Sequence, residues 1–268
     1  MNTATNRLSL SLLIYVAWMA TTLFGATLLT SGNETSLNDL VISGIGWQFV
    51  AAIALLLGAI AVFRWRDVGF VLPHSVVRTM WVPSLYLVVF LAMVLAVRFA
   101  RGGALPARTT ALIAINCMMV GFSEETMFRG VLFRALKEKL AIWPAVLWTS
   151  ALFGAVHLLN VFITGQLLPS MIQAISSGLI GLVFMAIVLR TGSLWPAIIY
   201  HGLWDGLVFL LGMSVQAASE SGPSAAKADS PTWTVFVPLI LNLPNLVFAL
   251  IMLRNIAETH GTPAGQPR

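Results

Sequence analysis

The sequence predicts an all-α fold: a polytopic membrane helix bundle of about eight transmembrane helices with both termini in the cytoplasm. Three observations carry this. Of the 268 residues, 58% are hydrophobic and only 9% charged, whereas a soluble domain carries about a quarter charged residues. The mean hydropathy is +0.89. Eight apolar segments, most of them about twenty residues long, alternate with short polar stretches, and that length crosses roughly 30 Å of hydrocarbon.

The segments run over 8–30, 41–63, 79–98, 109–136, 142–160, 170–190, 194–213 and 233–255. They divide into three N-terminal spans (1–108), a four-span core (109–213), and an outer connection, last span and polar tail (214–268). Arg7 precedes the first run, which exceeds the 7–15 apolar residues of a secretory signal and reads as a retained helix. The fourth span ends in a basic amphipathic turn, Arg134 to Lys139. Pro144 and Pro196 suit the first turns of the fifth and seventh spans, and Trp195 suits a membrane interface. The stretch 214–232, rich in Ser, Ala and Gly, reads as a flexible outer loop, and 257–268 as a polar tail.

Charge sets the expected orientation. Of fifteen Lys and Arg, Arg98, Arg101, Arg108 and Lys227 fall on one side of this layout and the remaining eleven on the other. The richer side is cytoplasmic. The same bias accounts for the net charge of +5, so nucleic acid is not an expected partner; the bilayer and a membrane-associated protein or peptide are. The multi-pass layout places the chain in the cell (inner) membrane. The single cysteine, Cys117, excludes an internal disulfide and a cysteine zinc cluster. No internal repeat is evident, which counts against common transporter architectures. The Asn33-Glu34-Thr35 triplet matches a glycosylation acceptor, a pattern frequent by chance.

Within the spans few ionisable residues remain: Glu124, Glu125 and Arg129 in the fourth, His157 in the fifth, His201 and Asp205 in the seventh. Each is costly in lipid and is a functional candidate for that reason. Glu125 and Arg129 are four apart and share a helix face, so they can form an ion pair. Glu124 is offset by about 100° and points elsewhere. This division makes Glu125–Arg129 structural and leaves Glu124 for chemistry. Phe153 and His157, and His201 and Asp205, repeat the four-residue spacing. At 1.5 Å per residue, Glu124 lies about 18 Å from the basic turn near Leu136 and His157 about 20 Å from Pro144, on the same cytoplasmic side, so the two can meet. His201 is only about 8 Å beyond Pro196, so the seventh helix must start deep or tilt.

A carboxylate, two imidazoles and a second acid suit hydrolysis. A partly desolvated glutamate can take a proton from water, and a histidine can hold that water. The remaining pair can stabilise an oxyanion or ligate a metal; Glu124, His157, His201 and Asp205 form an oxygen–nitrogen set for Zn²⁺, the one cofactor to be expected, if any. The absence of His-Glu-x-x-His excludes a conventional zincin. Ser123 lacks a nucleophile-elbow context, a span serine ordinarily bonds to its own helix, and Cys117 has no base at its level. A structural ion-pair lock and an ion-coupled transporter are the competing readings.

These residues resemble the CPBP family of intramembrane proteases, which includes type II CAAX prenyl endopeptidases and bacteriocin-processing and self-immunity (Abi-like) proteins. The shared motifs are Glu124-Glu125-x-x-x-Arg129, Phe153-x-x-x-His157 and His201-x-x-x-Asp205, across roughly 112–212. The resemblance implies an intramembrane endopeptidase, metallo- or glutamate-dependent. In it Glu124 activates water and His157 positions it. His201 and Asp205 stabilise the oxyanion or bind metal, and Glu125–Arg129 orients the site. Asp205 departs from the Asn of the prenyl endopeptidases; an ionised Asp only accepts hydrogen bonds, which shifts weight towards metal ligation or a bound proton. A non-catalytic immunity or scaffold protein of the same fold is the alternative.

Overall fold

A computed structural model of the protein describes residues 3–29, 35–101, 106–220 and 235–260. Asn33 and Glu34 of the glycosylation triplet, residues 221–232 of the expected outer loop and the tail beyond 260 lie outside these. Among the described residues every regular element is helical. Seven helices among the described residues are long and apolar enough to cross a membrane, or eight if the bent pair Leu37–Ser43 and Trp47–Phe63 crosses as one span.

The elements are α1 (Thr3–Leu29), α2 (Leu37–Ser43), α3 (Trp47–Phe63), α4 (Val76–Arg101) and α5 (Ala107–Glu125). A π-helical stretch (Thr126–Leu132) joins α5 to α6 (Phe133–Lys137). There follow α7 (Ile142–His157), the short α8 (Val161–Thr164), α9 (Leu167–Thr191), α10 (Trp195–Glu220), α11 (Val237–Leu253) and α12 (Ile256–His260). The segment from Ala107 to Lys137 is one span built of three helical pieces.

The second expected span, 41–63, is corrected. It is two helices, α2 and α3, bent by 83° at Gly44–Gly46. The cause lies on α5. The side chain of Asn116, only 1% exposed, donates from Nδ2 to the carbonyls of Val41 (2.7 Å) and Gly44 (2.8 Å) and accepts the Gly46 N–H at Oδ1 (2.9 Å). Backbone groups freed by a break inside an apolar layer need such partners, and one buried amide supplies three.

The core is built by close helix crossings at small residues, the means by which helices pack tightly in membranes. A Cβ on Gly121 of α5 would lie 2.9 Å from the Ile198 carbonyl oxygen and 3.0 Å from the Gly202 nitrogen of α10. A Cβ on Gly154 of α7 would lie 2.5 Å from the Ala174 carbonyl of α9. These seams hold α5, α7, α9 and α10 against one another. Around them, α1 packs Tyr15 and Trp18 on Phe128. Tyr86 and Phe90 of α4 pack on Trp204, and Asn245 of α11 accepts a hydrogen bond from Tyr200 (2.7 Å).

The start of α10, expected to lie deep or to tilt, is covered by the connection between α3 and α4. In the turn Thr191–Leu194, the residues Thr191, Ser193 and Leu194 are fully buried beneath that connection. The Leu194 N–H donates to the Gly69 carbonyl (2.9 Å), Ser193 Oγ to the Val71 carbonyl (2.6 Å), and the His74 N–H to the Thr191 carbonyl (3.0 Å). The helix starts directly after the buried Leu194, and His201, less than two turns beyond Trp195, is 2% exposed.

Candidate active site

Glu125 and Arg129, both 0% exposed, are joined at 3.1 Å (Oε1 to Nη1). Arg129 lies at the centre of the π-helical stretch, a geometry that recurs at functional sites. Its Nη2 donates to the Gly181 carbonyl of α9 (2.8 Å), and its guanidinium lies 4.4 Å from the Phe153 ring and 5.2 Å from that of Phe184. The charge is thus met by a carboxylate, a carbonyl and two aromatic faces, as a buried cation requires.

Glu125 has a second partner that spacing alone did not reveal. Its Oε1 also accepts the Nδ1–H of His201 at 2.8 Å. The His201 ring stacks on Phe184 at 4.4 Å. Glu125 therefore fixes the ring's orientation and turns Nε2 into the site, where it lies 3.3 Å from Asp205 Oδ2 and 3.7 Å from Glu124 Oε2.

His157 is held in the same manner. Its Nδ1–H donates to the Phe153 carbonyl (2.8 Å), which leaves Nε2 facing Glu124 Oε2 at 4.0 Å. That oxygen is buried and makes no hydrogen bond among the described residues. Two imidazole Nε2 atoms face it at distances too long for direct bonds but suited to a bridging water, which needs two or more polar partners. Glu124, His157 and Asp205 side chains keep 13, 15 and 27% exposure, so the site opens on their side and is closed behind Glu125 and Arg129.

The six residues singled out from the sequence thus lie together, from three helices. Two more were not foreseen. Ser123 accepts the indole N–H of Trp18 at 2.8 Å instead of bonding to its own helix, and this ties α1 to the residue beside Glu124. Asn116 shapes the neighbouring break. Neither carries a charge, and charge was the signal the sequence offered.

Zn²⁺ is the cofactor expected of Glu124, His157, His201 and Asp205. Among the described residues no three His, Cys, Asp or Glu side chains converge as ligands on one point. His201 gives Nδ1 to Glu125, and its Nε2 lies between Asp205 and Glu124. No step below runs through a metal.

Fold and site define a multi-pass α-helical membrane protein with a buried acid–imidazole centre. Residues 106–207 match the family model for type II CAAX prenyl endopeptidase Rce1-like proteins, which bears out the resemblance read from the motifs. The matched segment runs from α5 into α10 and includes all six ionisable site residues and Phe153. At the level of that family it supports a membrane protease. The curated proteins and the solved structures compared with the chain give no match.

Proposed function

We propose that the protein is an intramembrane endopeptidase in which Glu124 activates water. The observation that carries this reading is the buried Glu124 Oε2, without a hydrogen bond among the described residues, facing the Nε2 atoms of His157 and His201 at 4.0 and 3.7 Å. A general base must stand within reach of the proton it takes, directly or through one water.

Water held between Glu124 and the Nε2 of His157 gives its proton to Glu124 as its oxygen bonds to the peptide carbonyl carbon. The carbonyl oxygen becomes an oxyanion. His201 faces it with Nε2; with protons on both nitrogens it donates Nδ1–H to Glu125 and Nε2–H to the oxyanion, and Asp205 balances its charge. The tetrahedral intermediate collapses, the C–N bond breaks, and the leaving amine takes the proton from Glu124. General-base removal costs about 10²–10⁴ in rate. The substrate is a membrane-associated protein or peptide, processed at a CAAX-type terminus or by maturation of a bacteriocin-like peptide.

The test is cleavage by the reconstituted protein of a prenylated peptide with a CAAX-type C-terminus. Release of the C-terminal fragment, lost in Glu124→Gln, supports the reading. Cleavage undiminished in Glu124→Gln would sink it. Metal analysis of the purified protein tests the side-chain-only mechanism: stoichiometric Zn²⁺ that is lost in Asp205→Ala would replace it.

A further inference from the structure

A second polar cluster lies at the far end of the Ala107–Lys137 span, apart from the site. Arg7 at the start of the α1 span grips Asp67 with both terminal nitrogens (2.9 and 3.0 Å) and reaches Glu138 at 2.7 Å. Its guanidinium lies 5.2 Å from the Trp65 ring. Both acids at this end are therefore engaged. Arg134, one helical turn before Glu138, is partly buried with Nη2 beside Gly69. Among the described residues it has no hydrogen bond or ion pair, and its Nε is fully shielded. Lys137 and Lys139 follow on the same turn, and Arg64 and Arg66 flank Trp65.

Asp67 acts on Arg134 electrostatically but gives its oxygens to Arg7, so the terminal nitrogens of Arg134 have no acceptor of their own among the described residues, and the planar fork of arginine suits phosphate oxygens. Its place matters as much. Arg7 and Lys137 are the outermost residues of two apolar spans, with a tryptophan beside them, as at the headgroup layer of a bilayer. Basic pockets between helix ends bind anionic headgroups.

We propose that Arg134, supported by Lys137, binds the phosphate of an anionic phospholipid headgroup. The lipid would lie against the α6 turn and the α3–α4 connection, the same connection that roofs the start of α10. Bound lipid would thus brace the element that covers the start of the helix bearing His201.

The full-length protein in mixed micelles tests this. Phosphatidylglycerol should raise the thermal midpoint by roughly 3 °C or more, whereas phosphatidylcholine should not. Arg134→Gln should lose most of the rise, and Arg134→Lys should keep part of it. Native mass spectrometry of the wild-type chain, which needs no folded variant, should show phosphatidylglycerol retained over phosphatidylcholine. The proposal fails if Arg134→Gln keeps the full rise, if inorganic phosphate reproduces it at equal concentration, or if the wild type retains no excess phosphatidylglycerol.

Discussion

Removing the Glu125 side chain strips partners from two buried groups at once. Arg129, 0% exposed, is left with the Gly181 carbonyl and the faces of Phe153 and Phe184. His201 loses the acceptor of its Nδ1–H. Breaking a buried ion pair from one side costs about 3–5 kcal/mol. The two aromatic contacts offset part of this, about 0.5–2 kcal/mol each, while the lost histidine bond adds about 1.5–3 kcal/mol. Glu125→Ala should therefore destabilise by about 3 kcal/mol or more. Glu125→Gln keeps an acceptor oxygen for one partner and should cost roughly half as much. For a chain of this size the alanine change lowers the thermal midpoint by about 6–12 °C. The assay is thermal unfolding in detergent, followed by intrinsic tryptophan fluorescence. A Glu125→Leu, Arg129→Met pair should recover most of the loss, because apolar replacement of a buried pair is often neutral. A Glu125→Ala chain within about 1 kcal/mol of wild type would refute the burial argument.

Three further outcomes are expected. Gly121→Ala places a Cβ against the α10 backbone at 2.9 Å, should cost about 1–3 kcal/mol, and should slow cleavage by displacing His201; unchanged cleavage and midpoint would count against the seam. Asn116→Leu abandons three buried backbone groups, a loss of roughly 2–4 kcal/mol, and hydrogen exchange at 44–46 should rise; unaltered protection there would show that the break needs no such cap. At Asp67, burial alone would raise the carboxyl pKa, but the hydrogen bonds from Arg7 outweigh it and hold the group below its ordinary value. Its contribution is present above the unfolded value of about 3.9 and is lost as pH falls through the lower folded value. Asp67→Asn should lower the midpoint at pH 7, with the gap to wild type closing below about pH 4; a gap constant to pH 3 would contradict this.

The bundle was legible in the sequence because lipid forces long apolar runs, and the site because a charge in those runs is costly enough to stand out. Helical spacing then separated Glu124 from Glu125. The sequence failed where uncharged groups do the positioning. The break at Gly44–Gly46 looks like an ordinary apolar stretch, and only the distant Asn116 makes it a bend. The start of the helix bearing His201 is covered by a connection about a hundred and thirty residues earlier, whose backbone hydrogen bonds leave no trace in composition. Glu125 was assigned one partner because intrahelical spacing cannot show the histidine that arrives from α10.

The central claim is that two adjacent glutamates hold different roles, Glu124 in chemistry and Glu125 in architecture. The most direct measurement compares new protein termini in membranes from cells carrying wild type, Glu124→Gln and Glu125→Gln, with the folded yield of each chain measured beside it. Glu124→Gln should lose the wild-type termini at unchanged folded yield, and Glu125→Gln should lose both together. Wild-type termini persisting in Glu124→Gln, or a collapse of its folded yield to the level of Glu125→Gln, would contradict that division.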